Sequence, residues 1–324
     1  MKRRFLLLLC APLCLGAQAA AAKGLAFVLN SADATISVID TDTQKELRRL
    51  PVLREPHHMA LSPDGRSLLI GDTSGNSVFF LDPETGEMQK RMTIADPYQL
   101  SFSPNGKWLT VTGLARDQID IYDAATMQLV HRIPIASMPS HLNYSPDSKT
   151  VFVSLQQTNR LVAIAPETGA IVWNTVVGNT PAGVLWHDGH VLVCLYGEAD
   201  LAVVDPADGK VLRRVQTGRG AHNMFIPHDR SVMYVTNRVA GTISVLNPQT
   251  LDKIRDLRVP GGPDDMDFAP DGKMWTGLRW AHAVAVIDPA TGAMQKILVG
   301  RSPHGIWLNT HPNGRPVQVS ARTP

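Results

Sequence analysis

Cysteine is scarce in this chain: Cys10, Cys14 and Cys194 are the only three in 324 residues. Two of them fall in an N-terminal stretch with the marks of a leader, so the rest of the chain holds one thiol and no internal disulfide can form. Cys194 sits in the apolar run Val191 to Leu195, away from any basic cluster or helix start, and reads as a small core hydrophobe and not as a nucleophile. Long apolar runs are missing too. The stretch Phe5 to Leu15 falls well short of the roughly 20 residues a membrane span needs. No segment sustains a 3.6-residue apolar period, so almost no helix is expected.

Several kinds of chemistry are also absent. Glycines sit singly in turns, and Gly218-Arg219-Gly220 has neither the spacing nor the following helix of a phosphate loop. There is no Gly-x-Ser-x-Gly elbow, no Cys-x-x-Cys-His for covalent haem attachment and no paired Cys-x-x-Cys for zinc. A dominant charge is lacking. Taking Lys2, Arg3 and Arg4 of the leader from 31 basic residues leaves 28 against 29 acidic ones, a net of about −1, which gives no support to nucleic-acid binding.

What is present begins with residues 1–22. A basic opening, an apolar run and a small-residue tail (Ala17-Gln18-Ala19, then Ala20 to Ala22) form the three-part pattern of a cleaved secretory signal peptide. The expected product is a periplasmic chain of residues 23–324 folded as one domain, with no transmembrane segment.

The stretch Pro56 to Gly65 then returns about every forty-one residues. One marker series is Pro63-Asp64-Gly65, Pro104-Asn105-Gly106, Pro146-Asp147-Ser148, His187-Asp188-Gly189, His228-Asp229-Arg230, Pro270-Asp271-Gly272 and Pro312-Asn313-Gly314. A second is an alternating apolar run closed by a turn residue, at Asp40, Asp82, Asp123, Ala165, Asp205, Asn247 and Asp288, spaced 42, 41, 42, 40, 42 and 41 residues apart. Two interleaved series in step define seven units. Each unit reads as four short strands, with turns written in Asp-Pro-x-x-Gly chemistry such as Asp82 to Gly86 and a polar, edge-like last strand such as Met88 to Ile94.

Repeated four-stranded units of this length predict an all-β fold: a seven-bladed β-propeller of antiparallel blades. The chain enters in mid-unit at Ala26 to Asn30 and leaves on a first-strand sequence at Pro303 to Leu308. The N-terminal strands are therefore expected to pair with the C-terminal strand and close the ring. Tyr234-Val235-Thr236-Asn237 and Phe27-Val28-Leu29-Asn30 resemble the signature of the YVTN β-propeller repeats, as do Ile36 to Asp40 and Pro303 to Ile306. The resemblance implies the propeller fold and an exported protein. Rings related in fold occur in quinoprotein amine dehydrogenases and in the haem domain of nitrite reductase, and the resemblance assigns no activity.

The positions where innermost strands begin are expected to ring one mouth of the central channel. They read His57-His58, Tyr98-Gln99, Ser140-His141, Ala182-Gly183, His222-Asn223, Asp264-Asp265 and His304-Gly305, and five of the chain's 11 histidines fall there. The candidate site is His57, His58, Tyr98, His141, His222, Asp264 and His304. Histidine with carboxylate can ligate a transition metal or haem iron, or act as acid and base near neutrality. A metal set would be His57, His141, His222 and His304. The competing reading makes these histidines architectural, bonding backbone between blades. Asp265 is expected to point away from Asp264, because neighbours in a strand face opposite sides.

A secondary candidate is the loop holding Arg279, Trp280 and His282, where charge and an indole could grip an anionic or aromatic ligand, or where Trp280 could cap a blade interface. His187, His228 and His311 are expected to be exposed turn residues. The function these features suggest is a binding module for a small ligand or a periplasmic protein. The alternative is an enzyme or redox-complex subunit, associated with haem, metal or quinone or acting like a lactonase or hydrolase, that uses the same histidines.

Overall fold

The computed structural model describes residues 24–309. The leader, His311 and the last Pro-Asn-Gly turn lie outside the described residues. Twenty-eight strands and no helix occupy the described part, grouped in seven four-stranded antiparallel sheets.

Six blades take four consecutive strands each: β4–β7 (56–93), β8–β11 (99–134), β12–β15 (139–176), β16–β19 (181–216), β20–β23 (221–258) and β24–β27 (263–298). They are blades 1 to 6 here. Blade 7 joins the two ends of the described chain, in the order β28 (Pro303–Leu308), β1 (Leu25–Asn30), β2 (Thr35–Asp40) and β3 (Lys45–Pro51). Phe27 faces Trp307 in that pairing, and their rings lie 5.7 Å apart.

Burial follows strand position. The second strands β1, β5 (Leu68–Asp72), β9 (Trp108–Gly113), β13 (Val151–Leu155), β17 (His190–Leu195), β21 (Met233–Asn237) and β25 (Met274–Leu278) are buried along their whole length, His190 at the start of β17 excepted, because blades cover both of their faces. Such strands read as nearly unbroken apolar runs and not as alternation. The outermost strands, such as Met88–Thr93 and Lys253–Arg258, are mostly exposed and carry the charges that discourage edge pairing. The apolar core is not one mass but seven layers, one between each pair of adjacent blades. The layer that closes the ring packs Val28, Ile39 and Leu308 of blade 7 on Trp275, Val284 and Val286 of blade 6.

The turn chemistry works as its residues dictate. Ser62 Oγ accepts the Ser67 N–H at 3.0 Å and donates to Asp64 Oδ1 at 2.6 Å, while Asp64 Oδ1 accepts the Arg66 N–H. The same three-bond knot recurs at Ser103/Asn105 and Ser145/Asp147. In the second turn type, Asp82 Oδ1 accepts the N–H groups of Glu84 and Thr85, and Gly86 takes φ +71° to end the turn. A side chain there would also strike the Phe27 ring.

His187 departs from its expected place. Strand β16 runs through it to a tight turn at Asp188-Gly189, so His187 pairs with His190 as a strand residue. It is buried, and its Nε2 meets the Pro248 carbonyl of the next blade, in place of lying exposed in a turn. His228 is exposed as expected.

Candidate functional site

Six of the seven innermost strands open with a register irregularity that builds the site, whereas in blade 2 the pairing of Gln99 to Phe102 is regular and Tyr98 stands just before the strand. In blade 1, Pro56 pairs with Asp72 and Met59 with Ile70, so His57 and His58 together oppose the single residue Gly71. Blade 6 repeats this with Asp264 and Asp265 opposite Gly277, and blade 3 with Ser140 and His141 opposite Ser154. In blade 7, His304 and Gly305 oppose Leu29. A β-bulge puts two residues where a regular strand has one, and the alternation of faces is reset across it.

The bulge overturns the expectation for Asp265. Asp264 Oδ1 lies 3.0 Å from His222 Nδ1, and Asp265 Oδ2 lies 3.2 Å from His58 Nδ1, so both carboxylates of the vicinal pair reach the histidine cluster. Adjacent residues point apart only in a regular strand.

The ring brings the predicted histidines together. His57 and His304 have ring centroids 3.9 Å apart, His58 and His304 4.5 Å, His58 and His141 5.3 Å, His141 and His222 5.0 Å, and His222 and His304 5.9 Å. Tyr98 stacks on His57 at 4.2 Å. None of the five imidazoles is more than 5% exposed. His57 Nδ1, His58 Nε2, His141 Nε2 and His304 Nδ1 are buried with no hydrogen-bond partner.

Burial decides the charge state of these groups. It pushes His57, His141 and His304 well below the ordinary imidazole range, helped by neighbouring histidines and by Arg238 or Arg279. His222 is lowered for the same first reason, with Asp264 pulling the other way. Burial likewise raises the Tyr98 phenol, so it stays protonated. For Asp264, burial alone would raise the carboxyl, but Arg238, His222 and Arg279 together hold it well below the carboxylate range.

Arg238 escaped the sequence reading. It is partly buried, its Nη2 lies 2.5 Å from Asp264 Oδ1, and the same nitrogen donates to His304 Nε2 at 3.1 Å. Its guanidinium also sits 5.9 Å from the Tyr196 ring centroid, and Tyr196 in turn lies 6.4 Å from the His222 ring. Arg238 directly follows β21, Tyr196 follows β17 and Arg279 follows β25. The signal was therefore in the repeat: the residue just after the second strand is aimed at the same mouth as the start of the first.

The secondary loop divides. Arg279 turns inward, its Nη1 3.4 Å from Asp264 Oδ2, and joins the main cluster. Trp280 lies against Gly262 and is 56% exposed, and His282 is exposed at φ +49°, so the three do not form one grip. All seven blades contribute at the mouth: His57 and His58, Tyr98, His141, Tyr196, His222 with Arg238, Asp264 with Asp265 and Arg279, and His304.

Two trios among the described residues place one possible ligand atom each within 4.8 Å of the others: His57, His58 and His304, and His222, Asp264 and His304. His141 belongs to neither.

A closed ring of seven four-stranded blades with a polar, histidine-lined channel mouth defines the molecule as a seven-bladed β-propeller. The chain belongs to the YNCE-like beta-propeller family, whose model matches residues 6–314. No curated protein matches it. Among solved structures it is similar to dihydro-heme d1 dehydrogenase NirN in complex with DHE, at 19% identity and a TM-score of 0.66, covering 87% of this chain and 74% of that one. It is also similar to a functionally unknown protein from Desulfotomaculum acetoxidans, at 13% identity and a TM-score of 0.75, covering 88% and 98%. A third likeness is to hydrazine synthase of Kuenenia stuttgartiensis, at 19% identity and a TM-score of 0.65, covering 84% and 92%. At these identities the likeness is one of fold.

Proposed function

We propose that this chain is a periplasmic binding module, exported by the leader in residues 1–22, whose ligand site is the histidine- and arginine-lined mouth of the propeller channel. One observation carries the reading: buried imidazole nitrogens from blades 1, 3 and 7 converge with no hydrogen-bond partner inside the protein. Leaving a buried polar atom unpaired costs about 1–3 kcal/mol, so several in one place favour an external partner over a purely architectural role.

The likeness in fold to NirN, solved in complex with DHE, and to hydrazine synthase supports testing a redox role as well. The packing of the site supports it less. Its rings stand 3.9 to 5.9 Å from one another, spacing that suits an ion or a small group, whereas a flat macrocycle would have to part them.

The test is native mass spectrometry and an optical spectrum of the protein purified from a periplasmic extract of its source cell, beside a His141→Gln/His222→Gln variant. A small-molecule ligand retained by the parent and lost by the variant is the expected result. A parent that emerges empty, or a variant that keeps the same ligand, overturns the reading. A Soret band in the parent would replace it with the haem alternative. Fusion of residues 1–30 to alkaline phosphatase tests export, with activity expected only outside the cytoplasm.

A further inference from the structure

Of the two trios at the channel mouth, one is suited to a cation and the other is not. His222, Asp264 and His304 enclose a carboxylate already matched by two guanidinium groups, Arg238 at 2.5 Å and Arg279 at 3.4 Å. A further cation placed there would meet like charge at close range in a desolvated setting. His57, His58 and His304 form the other trio, wholly buried, and the three imidazoles have unpartnered nitrogens: His57 Nδ1, His58 Nε2 and His304 Nδ1.

Behind this trio stands the carboxylate that a metal site requires. Asp265 Oδ2 lies 3.2 Å from His58 Nδ1, which places the proton on Nδ1 and the lone pair on the unpartnered Nε2. Metal-binding histidines characteristically donate their other ring nitrogen to a carboxylate in this way, which fixes the tautomer and raises the basicity of the ligand. The same Asp265 oxygen lies 3.8 Å from His304 Nδ1. Bonds of about 2.0–2.1 Å to imidazole nitrogen in a tetrahedral site set the nitrogens about 3.3 Å apart, so ligation draws together ligand atoms that now lie within 4.8 Å of one another.

We propose that His57, His58 and His304 bind one divalent transition-metal ion of the kind that favours imidazole, with Asp265 as the positioning carboxylate. The proposal rests on the binding-module reading and adds to that mouth a metal subsite beside the small-ligand pocket that His141 and His222 line. Three neutral nitrogens and no thiolate favour Zn²⁺, Cu²⁺ or Ni²⁺ over Mg²⁺ or Ca²⁺. His304 must bring its lone pair to Nδ1. Arg238 donates to Nε2, so the proton resides on Nδ1 without metal; ligation moves it to Nε2 and ends the Arg238 contact.

The experiment is calorimetric titration of chelator-treated full-length protein with Zn²⁺, together with the visible absorption of Co²⁺ placed at the same site. One ion per chain is expected, with the intense bands of a tetrahedral nitrogen-rich Co²⁺ centre. Asp265→Asn should weaken Zn²⁺ binding by roughly 10- to 100-fold, and His57→Gln, His58→Gln and His304→Gln by more than that. His141→Gln and His222→Gln should keep the stoichiometry and hold affinity within a few-fold.

Circular dichroism and urea midpoints identify variants that are folded, and Asp265→Asn, which keeps the shape of the side chain, carries the test should a histidine variant unfold. No saturable Zn²⁺ binding by the parent, or equal loss in all five histidine variants, overturns the metal site. If a small ligand is still retained by the parent and lost by the His141→Gln/His222→Gln protein, the metal falls and the binding module stands. If neither binds, both fall.

Discussion

Arg238 and Asp264 lie on neighbouring blades and meet at the channel mouth, a guanidinium nitrogen 2.5 Å from a carboxylate oxygen that is wholly buried. Asp264 has three other partners within 4 Å: His222 at 3.0 Å, Arg279 at 3.4 Å and His304 at 3.8 Å. The carboxylate is thus the hub of the mouth, and Arg238 is one of its several spokes.

Removing the hub should cost more than removing that spoke. Asp264→Ala leaves the partly buried Arg238 and Arg279 without their anion and is expected to lower stability by about 3–5 kcal/mol. Arg238→Met leaves Asp264 still facing Arg279 and His222 and should cost less. Urea denaturation of both variants measures the order; equal losses would show that the hub description is wrong.

Stability should fall as pH drops below about 6.5. The unfolded chain protonates its histidines near that value, whereas burial holds the folded-state values of His57, His141, His222 and His304 lower. Below about 6.5 the unfolded chain therefore binds more protons than the folded one, and each histidine contributes a slope of up to about 1.4 kcal/mol per pH unit. This penalty is absent above the unfolded value and grows until the folded value is passed. Asp264 acts in the same sense further down, its contribution present above about pH 4 and lost as pH falls through its depressed folded value. Urea midpoints of metal-free protein at pH 8, 6.5 and 5 should decline below neutrality, and less so for His141→Gln. A midpoint that is the same at pH 8 and pH 5 contradicts the buried, neutral cluster.

The closing strand should matter more than its length suggests. Trp307 packs on Phe27 across the β28–β1 pairing, and Leu308 sits in the layer between blades 6 and 7. Trp307→Ala is expected to cost about 3–5 kcal/mol. A chain ending at Ser302 should lose its single cooperative thermal transition, because β1 then becomes an unpaired edge. A sharp, unshifted transition in the shortened chain would exclude closure as a source of stability.

Cys194 should be chemically silent while the protein is folded. Its thiol is buried in the layer between blades 4 and 5, and desolvation raises its pKa well above the ordinary value. Iodoacetamide labelling followed by mass spectrometry should find it unmodified in buffer at pH 8 and modified in 6 M guanidinium chloride. Rapid labelling of native protein would place the thiol elsewhere.

The repeat carried the architecture. Pro63-Asp64-Gly65 and Asp82-Pro83-Glu84-Thr85-Gly86 specify their turns through bonds that each residue makes to its own local backbone, so the blade pattern could be read directly. His57, Tyr98, His141, His222 and His304 could be grouped for the same reason, since equal positions in equal blades reach the same mouth. Asp265 and His187 could not be assigned correctly from the strand pattern. Asp265 turns on a bulge that breaks the two-residue alternation, and His187 on a strand that runs further than its turn motif implied.

The sequence by itself therefore determined the seven blades, the ring-closing pairing and the crowding of histidine at one end of the channel, because local turn chemistry and strand periodicity are encoded within each forty-residue unit. Only the tertiary structure decided which nitrogens and oxygens meet. Arg238 and Asp264 pair, Asp265 backs His58, and His141 stands outside both trios because bulges and contacts between blades set side-chain directions, and those depend on residues far away in the chain.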